Sequence, residues 1–504
     1  MERRGALAVL CCVVFLTFLD TTIVAVALGD VQSSLHAGVS ELQWVVNAYA
    51  LTFAALMLTG GTLGDRFGRE RLMLGGVVLF AAGSLLGALA PSVEVLIAAR
   101  GLMGVGAAAS EPGTLSILRQ LFPDRRERAR AVGTWAAVTG VALAAGPVVG
   151  GALVGIAGWR GVFWFNVAFA AALVPLTRRY VPESSDPDAA RLDLPGLVLG
   201  ALALGAVTFA IIEGETAGFT TSWILALFAV AAAATVAFVV AEVRSPSPML
   251  DLRFARMPAF SGAIAVAFAL YFGIFSIFFF TALYLEEVVG YSGYRAAGEF
   301  GPMAAALVLG SQLSGRWAAR SGPSAPMSAG CLVAAGGILL TVRFLPPHPS
   351  FGPLAVSLAV AGLGFGIAVV PVTSAVLSIV PPERSGMAAS ATNTTRQLGA
   401  VFGVAVLGAL VNAHLTSDLA DRLRALGIPA NFQAIVIDAI KTGTIPSGGN
   451  APGAAASYGP IVNKVIDAAY GAFHAGLRTA LLTSAVLILV AGAFSAVATR
   501  RDRG

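Results

Sequence analysis

Asp20, Arg100, Glu111 and Arg396 are charged residues set inside long apolar runs, where an ionised side chain is costly unless it is paired or functional. Asp20 lies about eight residues before the outer end of the run 6–28, so at 1.5 Å per residue it sits roughly 12 Å below that surface. Arg100, about five residues into the returning run 95–118, lies at a similar depth. A carboxylate and a guanidinium at one level can pair, and protonation of the acid would release the pair: a switch whose ligand is a proton. A permanent structural ion pair is the alternative. Glu111 follows Arg100 by eleven residues, and eleven steps of 100° return to within about 20° of the same helix face, so both look into one cavity. Pro112 comes next and loosens the preceding turn, as happens where helices bend around a site. Glu111 is thus a candidate for contacting a cationic substrate or taking a second proton, against a buried acid satisfied by a neighbouring helix. Arg396 and Gln397 interrupt the run 387–412 near its middle, where polar groups face the bundle interior as substrate cavity or as a lock between helices.

Other chemistry is poorly provided for. His36, His348, His414 and His474 lie far apart, and Cys11, Cys12 and Cys331 sit in apolar runs without a CxxC spacing, so no metal site or disulfide is expected. The two lysines, Lys441 and Lys464, follow Ile440 and Asn463, which leaves no G-K-[ST] phosphate loop and excludes an ATP-driven pump of that type. No convergent nucleophile or carboxylate pair suggests an enzyme. No cofactor is expected.

The elements that must position these residues are membrane spans. The 504 residues are 57% hydrophobic and only 12% charged, against about 25% charged in soluble domains. Runs at 6–28, 43–63, 72–90, 95–118, 131–154, 162–178, 195–213, 222–241, 258–284, 297–317, 327–345, 352–379, 387–412 and 475–498 predict fourteen transmembrane helices. The formal charge of +5 reports topology and not nucleic-acid binding, since nearly all bases are Arg placed in alternate connections. Arg3 and Arg4, Arg66, Arg69 and Arg71, the cluster from Arg119 to Arg130, Arg178 and Arg179, and Arg500, Arg501 and Arg503 mark one side, so both ends are expected in the cytoplasm. The polar stretch 413–474 should lie outside, as a flap or a substrate gate, with a surface helix at Leu415–Leu426, a second after Pro429 and a Gly/Pro-rich stretch at Ser447–Gly453. Glu213, Glu286, Glu287 and Glu299 fall nearer to span ends, where solvation or interfacial caps explain them.

The fourth and twelfth runs repeat. Arg100-Gly-Leu-Met-Gly-Val-Gly, Leu-Ser-Ile-Leu and Pro123-Asp-Arg125 parallel Ala361-Gly-Leu-Gly-Phe-Gly, Leu-Ser-Ile-Val and Pro382-Glu-Arg384 at an offset of about 260 residues. Two six-span halves around a midplane site, with two extra spans between them, describe a secondary transporter. The expected division is 1–180, an N-terminal six-helix bundle; 181–257, a linker with two additional spans; and 258–504, a C-terminal six-helix bundle carrying the loop 413–474.

The connection Gly61-Thr-Leu-Gly64-Asp65-Arg66-Phe-Gly68-Arg69-Glu-Arg71 allows close helix approach and a tight turn, and Asp65 can cap the next helix or pair with a neighbouring Arg in a contact that breaks as the halves rock. Here the sequence resembles the major facilitator superfamily, whose signature between spans two and three is this G-x-L-[GA]-D-[RK]-x-G-[RK] pattern. Leu19-Asp20-Thr-Thr-Ile-Val, Arg100 with Gly104, Gly146-Pro147-Val-Val-Gly150-Gly151, Trp159-Arg160 with Phe163 and Asn166, and Asn393-Thr-Thr-Arg396-Gln397-Leu-Gly399 narrow the resemblance to its fourteen-spanner drug:proton antiporter family, over almost the whole chain. Met103 stands where that family usually has Gln, and Ala142 replaces the first Gly of the span-five motif. The resemblance implies an all-α polytopic fold and multidrug efflux. Asp20, Arg100 and Glu111 would couple protons, and Glu111, Met103, Asn393, Arg396 and Gln397 would line the substrate cavity. Gly61, Gly64, Asp65, Arg66, Gly68 and Arg69 would gate, and Gly146, Pro147, Gly150 and Gly151 would form the antiporter motif. The expected activity is proton-driven export of amphiphilic, cationic drugs or antibiotics by a monomer in a bacterial cytoplasmic membrane, powered by the proton motive force. Export of an endogenous metabolite, antibiotic or lipid is the alternative.

Overall fold

The computed structural model describes residues 2–185, 193–245, 248, 252–291, 293–345, 351–380, 385–428, 433 and 460–501, and these contain helices but no strand. The first rod is α1, Glu2–Ile23, a 3-10 turn at Val24–Ala27, and α2, Leu28–Leu35. It therefore runs past the expected end at residue 28, and His36 closes it in the left-handed conformation, at φ 54°. Then follow α3 (Val39–Phe67), α4 (Arg69–Ala88), α5 (Val93–Ser110), α6 (Pro112–Leu121), α7 (Arg125–Ala157) and α8 (Arg160–Tyr180). Next come α9 (Leu194–Ala217) and α10 (Ser222–Arg244). The last group is α11 (Pro258–Leu283), a π-turn at Tyr284–Val288, α12 (Gly293–Ser321), α13 (Ser324–Phe344), α14 (Phe351–Ile379), α15 (Ser385–Ala425) and the final helix α16 (Pro460–Arg501).

Among the described residues twelve helices are long and apolar enough to cross a membrane, or thirteen with α3, which bends by 52° between Ser40–Met57 and Thr59–Phe67. The expected count was fourteen. The difference falls on α12: the stretch 297–317 is helical as expected, but Glu299, Gln312, Arg316 and several glycines and serines lower its apolarity.

The two groups of helices pack alike. In the first, α1 lies on α7 and α8, α5 on α3 and α4, and α4 on α8; in the second, α11 lies on α15 and α16, α14 on α12 and α13, and α13 on α16. The repeated glycines explain why. On α5, Gly104 meets Tyr49 and Thr52 of α3, and Gly106 meets Gly76 and Phe80 of α4, so closely that a Cβ would collide with backbone. On α14, Gly366 meets Leu307 of α12 and Gly364 meets Ala334 of α13 in the same way. Without a hydrophobic drive between helices in lipid, such close approach supplies the packing energy. The groups meet along two seams, α3 with α15 and α7 with α12. Helix α9 spans the first: Ile211 and Ile212 pack with Ala405 of α15, while the Trp44 indole of α3 donates to Glu213 Oε1 at 3.0 Å.

The polar stretch after span thirteen is built differently from the expected flap. The Leu415–Leu426 segment is not a separate surface helix but the end of α15, whose 41 residues extend about 60 Å, twice a hydrocarbon core of about 30 Å. Leu415, Leu419 and Leu423 recur every fourth residue, so they form one stripe, and they pack on Ala468 and Ala472 of α16. The expected second helix after Pro429 and the Ser447–Gly453 stretch lie outside the described residues.

Candidate functional site

Four helices of the first group build a polar centre in an otherwise apolar core. Asp20 of α1, Arg100 of α5 and Asn166 of α8 are all fully buried. Asp20 Oδ2 is ion-paired with Arg100 Nη1, and Asp20 Oδ1 accepts from Asn166 Nδ2 at 2.6 Å. Arg100 Nε donates to the Val45 carbonyl of α3 at 2.9 Å, and its guanidinium lies 4.5 Å from the centroid of the Tyr49 ring. The Tyr49 hydroxyl is turned away, donating to the Thr17 carbonyl at 2.8 Å. A buried ion pair survives in a low-dielectric interior only when its remaining donors and acceptors are also met. Here Arg100 Nη2 and Asn166 Oδ1 have no partner among the described residues, which leaves polar capacity for water or a proton beside the carboxylate. The shared depth of Asp20 and Arg100 read from the sequence is thus realised as a direct contact.

A second cluster joins the two halves. Pro112 separates α5 from α6 and withholds the helical donor of the Ala108 carbonyl, which instead faces Gly60 of α3 where only a glycine leaves room. At this break Glu111, 2% exposed, accepts from Asn393 Nδ2 of α15 at 3.3 Å. Asn393 Oδ1 in turn accepts from Arg396 Nη1 at 3.1 Å, and Arg396 Nη2 donates to Thr373 Oγ1 of α14 at 2.6 Å. The Arg396 guanidinium lies 5.5 Å from the Tyr271 ring centroid of α11. One amide therefore stands between a carboxylate of the first group and a guanidinium of the second. Gln397, one residue on, is buried with Oε1 unbonded.

Met103 is placed apart from this cluster. It is fully buried against Gly83 of α4, where a Cβ would lie 2.8 Å from Met103 Cγ, so it fills the interior of the first group.

The residues expected to gate form a knot within the first group. Gly68, at φ +107°, turns the chain between α3 and α4, and Asp65 pairs across that turn with Arg69 Nε at 2.7 Å. Arg66 is exposed over Phe67. Gly61 and Gly64 are in ordinary contact with Pro112 and with Leu72 and Arg69. Glu183, which the sequence did not single out, accepts from the backbone N–H of Glu70 at 3.1 Å and of Arg71 at 3.2 Å, an anion on the N-terminus of α4. The Ser184 carbonyl accepts from Arg69 N at 2.9 Å.

The glycine motif of span five faces α1. A side chain at Gly146 would collide with Thr22, and one at Gly150 would meet the Ile23 carbonyl at 2.5 Å. The Thr22 hydroxyl donates to the Leu143 carbonyl at 3.1 Å, so α1 and α7 touch backbone to backbone just before the 3-10 turn. Pro147 lies inside α7 and Gly151 is buried beside it.

Three residues were missed or undervalued in the sequence. Asn166 was noted only within a motif and Asn393 only as lining, because an amide carries no charge to mark its depth. Glu299 was assigned to a solvated span end, yet it is fully buried and neither carboxylate oxygen has a hydrogen-bond partner. Among the described residues no group of His, Cys, Asp and Glu is placed to hold a metal ion.

The family model described as Major Facilitator Superfamily matches residues 10–404. The multidrug resistance protein Stp of Mycobacterium tuberculosis is 37% identical over 428 residues, 84% of this chain and 79% of that protein. The methylenomycin A resistance protein of Bacillus subtilis is 37% identical, covering 79% and 85% of the two chains. The multidrug efflux pump LfrA of Mycolicibacterium smegmatis is 32% identical and covers 98% and 96%. Among solved structures, an inward-facing, occupied bacterial homologue of the human lysosomal transporter Spinster superposes with a TM-score of 0.64 at 19% identity, over 99% and 97% of the chains. The human organic anion transporter MFSD10 gives 0.62 at 14% identity, over 98% and 99%.

Proposed function

We propose that this chain, which belongs to the Major Facilitator Superfamily and is a multi-pass membrane transporter rather than an enzyme, exports amphiphilic, cationic drugs or antibiotics in exchange for protons. The names of its relatives support drug or antibiotic export. Proton coupling rests on one observation above all: the carboxylate of Asp20, fully buried at membrane depth, is held by Arg100 and Asn166.

The mechanism follows from that geometry. With Asp20 ionised, Arg100 ties α1 to α5. A proton on Asp20 cancels the attraction, freeing Arg100 to its remaining partners, the Val45 carbonyl and the Tyr49 ring. Helix α1 meets α7 through Gly146 and Gly150, and α7 meets α12 across the seam, so a shift of α1 reaches the opposite half through packed backbone. On the other seam, a cationic substrate arriving at Glu111 would replace the Asn393 amide as its partner and release Asn393 to Arg396. Proton and substrate would thereby compete for the balance of the two halves without sharing a carboxylate.

The membrane voltage contributes about 2.3 kcal/mol per charge per 100 mV, and about 1.4 kcal/mol sustains a tenfold ratio, so one net charge supports a gradient of roughly 40-fold without nucleotide. The chain acts as a monomer in the bacterial cytoplasmic membrane, in keeping with the family resemblance, and its Arg distribution supports both ends inside. The test is uptake of a fluorescent cation into inside-out proteoliposomes with an imposed pH gradient. Uptake should collapse with a protonophore and with Asp20→Asn; persistence in both cases would remove proton coupling.

A further inference from the structure

The two halves of the molecule provide for their buried acids in opposite ways. Asp20 has a guanidinium and an amide. Glu299, near the start of α12, is also without exposure to solvent, and among the described residues neither of its carboxylate oxygens has a hydrogen-bond partner. The nearest base on its own helix, Arg295, is exposed and has its guanidinium 3.8 Å from the Tyr291 ring centroid. Among the described residues, no other cation comes from the elements around it. Helix α11, which touches α12 through the Phe278–Phe300 pair, has no charged residue, α14 has none, and the turn Val24–Ala27 has none. The charges of α7 are gathered at 125–130, its far end, and α13 offers only Arg343, which is exposed. The π-turn brings two more acids, Glu286 and Glu287, whose side chains lie outside the described residues.

An ionised carboxylate without a hydrogen-bond donor at this depth is strongly disfavoured, with Arg295 alone near enough to attract it, whereas the neutral acid is tolerated. The Phe278–Phe300 ring pair, 5.3 Å between centroids, sets α11 beside the start of α12. Thr281 of α11 is buried with Oγ1 unbonded. Helix α12 is also the element that forms the seam with α7 of the other half. A movement of α12 at that seam would open a path for water to Glu299.

We propose that Glu299 is a proton-binding site of the C-terminal half, loaded in the conformation described and unloaded when the α7–α12 seam admits water, with Arg295 turning from Tyr291 to the freed carboxylate. The site rests on the transport reading above and adds to it a second proton per cycle, held in the half that lacks Asp20.

Two measurements test this. In the first, the full-length protein in nanodiscs is treated with dicyclohexylcarbodiimide, and labelled peptides are mapped by mass spectrometry. The carboxyl proton passes to a nitrogen of the reagent while the carboxylate oxygen adds to its central carbon, so the reagent reports proton-bearing acids in apolar surroundings. Glu299 is expected to be labelled at neutral pH, more weakly as the pH rises, and Asp20, held by Arg100, to be spared. No label on Glu299 at any pH overturns the site. This assay needs no transport, so its failure is distinct from failure of the antiport reading, which would appear as wild-type liposomes showing no proton-driven uptake. In the second, ethidium accumulation at steady state is compared under a one-unit pH gradient in liposomes. Loss of one coupled proton lowers the sustained ratio tenfold, which is the expectation for Glu299→Gln. An unchanged ratio overturns the site.

Discussion

At the residue scale, the Asp20–Arg100 pair makes separable predictions about stability and coupling. Removing one member of a buried pair strands the other, a cost of about 3–5 kcal/mol. Arg100→Ala is therefore expected to lower the thermal midpoint in detergent strongly. Asp20→Asn leaves the Arg100 charge without its counter-ion but should be milder, because the amide still accepts from Arg100 through its oxygen. Asp20→Asn should also retain substrate counterflow while losing uptake driven by a pH gradient; loss of both would make the pair structural. Asn393 is the comparable test in the second cluster. Asn393→Leu removes the amide between Glu111 and Arg396 without changing charge. A rise in KM for cationic substrates with little change in kcat is expected, and an unchanged KM would dissociate the bridge from substrate. The sequence disclosed the charges and their depths, since these are properties of position along a span. It gave no sign that Asn393 reaches across the seam, because nothing in a run of neutral polar residues says which neighbour each will meet.

At the element scale, the backbone contact of α1 with α7 depends on two missing side chains. Gly150→Val places a branched carbon where the Ile23 carbonyl and Val26 now lie, so α1 must move outward. The expected outcome is lost transport with a depressed thermal midpoint. Gly75→Ala is the control: nothing lies within 4 Å of a Cβ there, and replacing a mid-helix glycine stabilises by about 1 kcal/mol or less. Equal effects of the two would contradict the packing account. The span-five glycines were legible as a close-contact motif, but their partner was not. The hairpin of α15 and α16 shows the reverse error. Polarity marked 413–474 as a connection with a separate surface helix at Leu415–Leu426, whereas the Leu415, Leu419 and Leu423 stripe continues α15 itself by packing on α16. A hydropathy window ends the span there, since three leucines among charged residues read as polar.

At the scale of the whole molecule, alternating access requires that the two seams open in turn. The α7–α12 seam can be fixed directly, because a Cβ at Gly140 would lie 3.8 Å from Ser311 Oγ, within reach of a disulfide. Gly140→Cys with Ser311→Cys should cross-link under mild oxidation, abolish transport and leave substrate binding intact, with recovery on reduction. Undiminished transport by the cross-linked protein would rule out movement at this seam. Helix α9 adds an asymmetry, since it touches α3 and α15 together and covers only the other seam.

The sequence by itself determined that this is a membrane transporter, where its spans run and which of them carry buried charge, because hydropathy and charge act locally along the chain. Its motifs also marked the glycines that must approach another helix. Only the tertiary structure decided that Asn166 completes the Asp20 site from 146 residues away, that Asn393 faces Glu111 from 282 residues away, and that Glu299 is buried with no hydrogen-bond partner among the described residues. Those outcomes depend on which helix faces meet, and that is fixed by close packing among all the helices together and by no segment alone.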